Sequence, residues 1–288
     1  MGAERLRSRR LVPDDRPAAL AHLRAARDEN LILIDQVERL VEPPGSNESP
    51  PQIHAAFAGD RLTGIVSLRP SIALSAGIGE EALRLLRPAL TRVPTGLLKG
   101  ERRVVDRVFP WLAASGCEAL IDRIEIAYRL GPGAPLHAAG PGPQAAPPGR
   151  ARVAIPADLP ELVHAARASL WEEQRPDPAE TDPEGFARWV AGRLSRARVV
   201  THAGHVAFVA YADVQRAEGW LVQGVYTWPE QRRRGFARQG MAALLAEAFA
   251  SGTAHVQLAV VAGNERAVRL YRELGFEPFA ELRTILFH

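Results

Sequence analysis

The sequence predicts a two-domain protein of the α/β (α+β) class, and three observations support this. The chain has 288 residues, which is enough for two cores of ordinary size. A Gly- and Pro-rich stretch, residues 131–150, interrupts it near the middle. On both sides of that stretch, strand-like apolar runs alternate with segments whose apolar residues recur at helical spacing. This alternation is typical of a sheet covered by helices.

The Gly- and Pro-rich stretch sets the predicted domain boundaries. More than half of residues 131–150 are Gly or Pro, so this segment can neither continue a helix nor pair inside a sheet. We therefore predict a first domain over 1–130, a linker over 131–150 and a second domain over 151–288. A similar stretch at 43–51 is too short to divide domains and is typical of a loop.

The two domains have a similar predicted order of elements. In the first domain we predict strands at 6–12, 53–58, 62–69, 71–75 and 122–129, and helices at 14–26, 30–41, 79–89 and 101–114. In the second we predict strands at 153–155, 197–202, 205–213, 219–228, 255–261, 276–281 and 282–287, and helices at 158–171, 184–194, 235–250 and 264–274. The first domain is therefore interpreted as a degenerate second copy of the same fold, or as an accessory domain.

Composition excludes several classes of protein. The net charge is only +3 and Lys99 is the only lysine, so the basic pI reflects arginine usage rather than a nucleic-acid-binding domain. A single cysteine, Cys117, excludes an internal disulfide and suits a reducing cytoplasm. The eight histidines are scattered, so we expect no metal site. No run approaches the roughly 18 apolar residues of a membrane span, and the first residues are too polar for a signal peptide. We expect a cytoplasmic protein.

Residues 228–240, Trp-Pro-Glu-Gln-Arg-Arg-Arg-Gly-Phe-Ala-Arg-Gln-Gly, place three arginines and a glycine between a predicted strand and a helix. A helix start carries unpaired backbone N–H groups and the positive end of the helix dipole. Gly235 permits unusual backbone angles, and Ala237 keeps the first helical turn free of bulk. Three cations beside that dipole are unfavourable unless an anion offsets them. The segment therefore predicts a phosphate-binding turn, with a solvated charge run as the alternative.

Two patterns in the second domain resemble those of a known superfamily. The pattern R-x-x-G-x-A at 232–237 is similar to the pyrophosphate-binding signature of the GNAT superfamily of acetyl-CoA-dependent N-acyltransferases. The pattern N-x-x-A-x-x-L-Y-x-x-x-G-F at 264–276 resembles the second cofactor motif of that superfamily, in the expected order and at the expected separation. The similarity covers about residues 151–288. It implies a mixed central sheet in which two neighbouring parallel strands splay apart.

The resemblance also implies which residues bind acetyl-CoA, with CoA as the product. Val225, Tyr226 and Thr227 would hydrogen-bond the pantetheine arm and orient the acetyl carbonyl. The pyrophosphate would be held by the turn, which comprises Arg232, Arg233, Arg234, Gly235, Phe236, Ala237 and Arg238. Asn264 would meet a pantetheine amide, unless it is a plain helix N-cap. Tyr271, two turns further on the same helix face, would protonate the leaving thiolate, unless it is a core aromatic.

One departure from the superfamily concerns the general base. Many relatives keep a glutamate on the strand before the pyrophosphate turn, but residues 220–227 contain no Asp, Glu or His. The base must come from elsewhere, act through water, or be unnecessary for an acceptor with a low amine pKa. Glu172 and Glu173 lie where the superfamily builds its acceptor pocket and are candidate substrate-binding residues. The alternative for both is a surface carboxylate near a helix end.

The first domain lacks both cofactor patterns, since Gly77-Ile-Gly79 is only a faint echo of the turn. The whole chain resembles a bacterial subfamily in which an uncharacterised N-terminal domain precedes the GNAT domain. The residues that carry this resemblance are 30–35 and 172–178, with Asp182, Gly185 and Phe186. It implies that the first domain shapes or covers the acceptor site and binds no cofactor.

The predicted function is transfer of an acetyl group from acetyl-CoA to a primary amine by direct attack. The acceptor would be a small molecule, a protein lysine or a protein N-terminus, and the protein would be a monomer or homodimer that binds neither nucleic acid nor membrane. The alternative is an acetyl-CoA- or CoA-binding sensor, or an inactive relative, that binds without turnover.

Overall fold

The computed structural model of the protein describes residues 6–42, 50–133 and 151–288. It confirms the predicted α/β class, and the chain divides into two compact units. Unit 1 comprises Met1–Ala127, Val261–Gly263 and Phe279–His288, whereas unit 2 comprises Tyr128–Val260 and Asn264–Pro278. Most of the predicted linker at 131–150, and of the predicted loop at 43–51, lies outside the described residues.

Unit 1 is a mixed sheet with helices on both faces. Its elements are β1 (Leu6–Arg10), α1 (Arg16–Arg24), α2 (Leu31–Glu38), β2 (Gln52–Ala58), β3 (Arg61–Arg69), β4 (Ile72–Leu74), α3 (Glu80–Leu90), β5 (Gly96–Glu101), α4 (Arg102–Ala113) and β6 (Ala119–Leu130). Apolar side chains of α1 and α2 pack on one face of the sheet, and those of α3 and α4 pack on the other. Successive strand residues such as Ala55 and Ala56 therefore enter different cores, because side chains alternate across a strand.

The last strand of the chain, β12 (Glu277–Phe287), contributes to unit 1 rather than only to the unit that precedes it in sequence. It lies between β5 and β6 and pairs antiparallel with β5, from Leu282 opposite Glu101 to Phe287 opposite Gly96. The predicted second domain, 151–288, differs from unit 2 in that Val261–Gly263 and Phe279–His288 group with unit 1. It also divided this segment into two strands, and the structure has one.

The strand β5 was not predicted. Its sequence, Gly-Leu-Leu-Lys-Gly-Glu, has only two consecutive apolar residues and two glycines, so it carries no periodic signal. Its pairing with β12 makes it a strand. The charge of Lys99 in this strand is neutralised, because its Nζ lies 2.5 Å from Oε2 of the buried Glu125. Burial alone would raise the pKa of Glu125, but Lys99 and Arg123 outweigh burial and the pKa is lowered.

Unit 2 repeats the order of elements found in unit 1. Its elements are β7 (Ala151–Val153), α5 (Leu159–Glu172), α6 (Pro183–Ala191), β8 (Ala197–His202), β9 (His205–Gln215), β10 (Trp220–Thr227), α7 (Phe236–Ala250), β11 (Val256–Val261) and α8 (Glu265–Glu273). In both units a strand is followed by two helices, an antiparallel three-strand meander, a helix and a strand parallel to the last one. The prediction that the first domain is a second copy of the fold is confirmed at the level of architecture.

Close packing holds α7 on the sheet of unit 2. Its buried face includes Met241, Leu244, Leu245 and Ala248. A Cβ at Gly240 would lie 2.2 Å from the ring of Phe208 on β9. The helix therefore approaches the strand more closely than a residue with a side chain at position 240 would allow. This contact fixes where the first turn of α7 lies relative to the end of β10.

We expect Phe287→Ala to destabilise unit 1, although residue 287 follows unit 2 in the sequence. Its ring is fully buried in the same core as α3 and α4, and Phe→Ala in a core costs about 3–5 kcal/mol. Urea unfolding should show this loss, and hydrogen exchange should rise in peptides from α3 and α4. The control is Phe279→Ala, because Phe279 is only half-buried and its loss should cost less. Equal losses for the two variants would contradict the packing described for β12.

Candidate functional site

Two parallel strands of unit 2 diverge after a short paired segment. Pairing between β10 and β11 comprises only Trp220 with Val256 and Leu221 with Gln257. β10 continues to Thr227, so over residues 222–227 its edge towards β11 has no strand partner among the described residues. Backbone N–H and C=O groups along that edge remain available for hydrogen bonds with another molecule. The divergence agrees with the splayed strands that the sequence predicts.

A β-bulge lies in the diverging part of β10. Gln223 pairs with Tyr211 and Tyr226 pairs with Val209, so β10 has one residue more than β9 in this interval. Gly224 has φ +56°, and a Cβ at this position would lie 2.9 Å from the Tyr211 ring. Both the positive φ and the close approach therefore require glycine. The bulge turns exposed backbone at Gln223 and Gly224 away from the regular ladder.

The turn between β10 and α7 presents backbone N–H groups that the chain does not use. Arg233 has φ +61° and Gly235 has φ +85°, which bends the backbone so that neighbouring N–H groups can converge. The amides from Arg233 to Arg238 have no hydrogen-bond acceptor within the described part of the chain, whereas Gln239 N–H reaches Gly235 O at 3.0 Å. A Cβ at Gly235 would meet nothing within 4 Å, so the space beside the turn is open.

The arginine side chains of this turn differ in their partners. Arg232 donates through Nε to Thr227 O at 3.0 Å and through a terminal nitrogen to Glu172 Oε1 at 2.5 Å. Arg234 contacts Gln231 Oε1 at 2.7 Å and His202 Nε2 at 2.9 Å, and Arg238 pairs with Glu273. Arg233 is exposed and contacts no charged or polar group of the described residues. Of the three arginines that the sequence places before α7, Arg232 therefore has an internal anion, Glu172.

The two carboxylates proposed to bind the acceptor, Glu172 and Glu173, have different partners. Glu172, the last residue of α5, accepts a hydrogen bond from the Tyr226 hydroxyl at 3.2 Å in addition to the bond from Arg232. Glu173 instead faces Arg175 at 3.5 Å. Burial, and then the charge of Glu172, raise the pKa of Tyr226 to about 12, so this hydroxyl stays protonated and donates. Glu172 therefore contacts the predicted cofactor turn.

Asn264 caps the start of α8, and Tyr271 lies near its end. Asn264 is the N-cap, and its Oδ1 accepts from Ala267 N–H at 3.2 Å, which leaves its side-chain N–H groups available. The Tyr271 ring is buried edge-on against Phe276, with centroids 5.8 Å apart. Its hydroxyl makes no hydrogen bond with a described residue, and it is not completely shielded from solvent. Burial raises the pKa of Tyr271, so the hydroxyl is protonated at neutral pH.

The other predicted residues of the site lie in β10 and the first turn of α7. Val225 and Thr227 are half-buried on the unpaired length of β10, and Phe236 is buried under the turn with Ala237 beside it. The sequence analysis did not single out Gly224. The available signal was a glycine inside an apolar strand, which often marks a bulge.

Metal-binding clusters and membrane-spanning helices are absent from the described residues. Within residues 6–42, 50–133 and 151–288, no group of three or more His, Cys, Asp or Glu side chains is arranged to hold a metal ion. Over the same residues, none of the helices has the length and apolar character required to span a bilayer.

Comparisons with known proteins agree with this geometry. Residues 161–276 match the acetyltransferase (GNAT) family. A comparison with curated proteins found no match. Among solved structures, a Drosophila protein is similar at 16% identity and a TM-score of 0.69, over 97% of this chain and 98% of that one. A tandem GNAT protein from the clavulanic acid biosynthesis pathway is similar at 15% identity and a TM-score of 0.56, over 98% of each chain.

A third similar structure is an N-acetyltransferase from Sphaerobacter thermophilus, at 16% identity and a TM-score of 0.56, over 97% of this chain and 94% of that one. At these identities the structures show the fold, and the family match locates the domain that contains the diverging strands and the turn. Residues 161–276 match the model of the GNAT acetyltransferase family, and the chain as a whole has the fold of a tandem GNAT protein.

Proposed function

We propose that the protein transfers the acetyl group of acetyl-CoA to a primary amine, in the cytoplasm. The observation that carries this proposal is the run of unused amides from Arg233 to Arg238 at the start of α7. Six neighbouring N–H donors beside a left-handed glycine and an exposed arginine form a site for a diphosphate. GNAT acetyltransferases generally bind acetyl-CoA in this way, and the residues present fit that molecule.

The unpaired edge of β10 would hold the rest of the donor. Backbone groups at Val225 and Tyr226 lie just before the turn, on the strand whose neighbour has diverged. We propose that they hydrogen-bond the pantetheine arm, while the bulge at Gly224 orients a backbone group towards the acetyl carbonyl. Thr227 contributes less than the sequence suggests, because its carbonyl already accepts from Arg232. Asn264 would donate its free N–H groups to a pantetheine amide.

The chemistry requires one bond to form and one to break. Acetyl-CoA, when bound, supplies a thioester whose C–S bond breaks as the amine nitrogen forms the new C–N bond. The Tyr271 hydroxyl would give its proton to the departing sulfur and recover one from solvent. Its pKa, raised by burial, keeps that proton in place at neutral pH. The proton lost by the amine would pass to water, because β10 carries no Asp, Glu or His.

We propose one donor site per chain, in unit 2. The corresponding turn of unit 1, before α3, has fewer free donors, because Ala76 N–H donates to Asn30 Oδ1 at 2.8 Å and Ile78 N–H donates to Ser75 O at 3.3 Å. Glu80 and Glu81 occupy the first turn of α3, where their charge repels a phosphate. Unit 1 would then be a degenerate copy that binds no acetyl donor.

Turnover tests the proposed function directly. The purified protein is mixed with acetyl-CoA and a panel of amines, namely small amines, amino acids and peptides with a free lysine or N-terminus, and thiol release is followed. Release that depends on an added amine, with the acetylated amine found by mass spectrometry, supports the proposal. Acetyl-CoA binding without amine-dependent release would instead support a CoA-binding sensor.

Gly235→Asp should abolish most acetyl-CoA binding. The variant places a carboxylate in the open space beside the turn and forces a side chain onto a φ of +85°. Calorimetry should show about one equivalent bound per wild-type chain and an affinity loss of at least roughly 10²-fold in the variant. The matched control is Gly252→Asp, which has φ +82° and open space at the other end of α7. Normal affinity in Gly235→Asp would mean that the turn does not bind the diphosphate.

Tyr271→Phe should slow the reaction and leave cofactor binding intact. The change keeps the ring and its contact with Phe276 and removes one hydroxyl. The maximal rate should fall by roughly 10²-fold, as expected for a positioned acid, while the acetyl-CoA dissociation constant stays within a few-fold of wild type. A weaker affinity with unchanged turnover would make Tyr271 a binding or packing residue. The reaction can be followed with an active amine, or with the slow hydrolysis of acetyl-CoA.

A further inference from the structure

A contact that was not predicted from the sequence joins the end of α5 to the start of the turn between β10 and α7. One Arg232 side chain bridges Thr227 O at 3.0 Å and Glu172 Oε1 at 2.5 Å, and the same carboxylate oxygen accepts from Tyr226 at 3.2 Å. The guanidinium also lies over the Tyr226 ring, 5.6 Å from its centroid. Four residues from three segments of unit 2 therefore share one small network, which we call the Arg232 network: Glu172, Tyr226, Thr227 and Arg232.

Each charge in the Arg232 network lies near the unfavourable end of a helix. Glu172 ends α5, where the helix dipole already presents negative charge, and Arg232 precedes α7, where it presents positive charge. Either charge alone would be destabilising at its position, and together they neutralise each other. The pairing is directional, because the planar guanidinium uses Nε for the strand carbonyl and a terminal nitrogen for the carboxylate.

We propose that Glu172 is a positioning residue for the turn rather than a residue that binds the acceptor. Through Arg232 it holds the carbonyl of the last β10 residue, and so it holds the point at which the chain leaves the sheet and enters the turn. The free amides begin at Arg233, the residue after Arg232. A turn that is already ordered costs less free energy to bind than one that is ordered on binding. This inference rests on the proposed function only for its effect on acetyl-CoA affinity.

Tyr226 extends the Arg232 network into the core. Its ring packs edge-on against Trp228, with centroids 5.4 Å apart, among residues of α5, α6 and β9. Its hydroxyl donates a hydrogen bond to Glu172. The carboxylate is thus located by a buried side chain on one side and by the guanidinium on the other. Glu173 is the next residue, carries the same charge and pairs with Arg175 at 3.5 Å.

Glu172→Gln and Glu173→Gln separate the pairing with Arg232 from simple loss of charge at the end of α5. In the protein without ligand, we expect faster hydrogen exchange in Glu172→Gln at the amides that close the turn, Gln231, Arg232 and Gln239. Glu173→Gln should leave these amides at the wild-type rate. This measurement needs no cofactor. Unchanged exchange in Glu172→Gln would overturn the proposal even if the protein proves to be an acetyltransferase.

Calorimetry with acetyl-CoA supplies the second measurement. Glu172→Gln should weaken acetyl-CoA binding by about three- to ten-fold, the effect of one partly exposed charged hydrogen bond. The titration is made at about 0.5 M salt. In Glu172→Gln the guanidinium of Arg232 is no longer neutralised and would attract the negatively charged cofactor, and this salt concentration largely screens that attraction. Arg232→Gln should have a similar effect, and the double variant should be no worse than Arg232→Gln alone, because both remove one interaction.

The kinetic pattern distinguishes the proposal from its alternative. A positioning role predicts a higher KM for acetyl-CoA in Glu172→Gln and an unchanged KM for the amine. A higher KM for the amine, with normal acetyl-CoA affinity and additive effects of the two single changes, would overturn the proposal and assign Glu172 to the acceptor. If the wild-type protein binds no acetyl-CoA, the proposed function fails, while the exchange experiment still decides whether Glu172 orders the turn.

Discussion

Unused backbone hydrogen-bonding capacity is the constraint on which the site depends. Folded proteins pair nearly all buried backbone groups, so a segment that leaves them unpaired must keep them accessible to water or to another molecule. In unit 2 the pairing of β10 with β11 ends after two residue pairs, and the amides from Arg233 to Arg238 are free beyond the internally bonded residues 228–232. The strand edge and the helix start therefore present two lengths of free backbone on either side of a short ordered turn, which suits a long and chemically varied ligand.

Charge at this site is more nearly balanced than the arginine run suggests. Arg232, Arg234 and Arg238 all contact groups of the chain itself, so their main effect is to hold the turn and the neighbouring helices. Arg233 is left exposed, at a positive φ that bends the backbone. The attraction for an anion then comes from the oriented amides, the helix dipole and one guanidinium together.

The two units show how one architecture can keep or lose such a site. Both contain a strand, a turn and a packed helix in the same order. In unit 1 the Asn30 side chain accepts from an amide of that turn and two glutamates begin the helix, whereas in unit 2 the amides are free and the helix begins Phe-Ala-Arg. The difference therefore lies in a few side chains at the helix start and not in the fold.

The sequence by itself determined the class of fold, the order of most elements and the positions of the turn and of α8, because these follow from local periodicity, glycine placement and capping residues. It did not predict β5 or place β12 in unit 1, since both depend on pairing between residues nearly two hundred positions apart. The partners of the arginines were equally inaccessible to sequence reasoning. Glu172 and Arg232 are sixty residues apart, and only the packing of α5 against β10 decides that one neutralises the other. Local pattern specifies what each segment can form, whereas tertiary contacts decide which charges and backbone groups remain free.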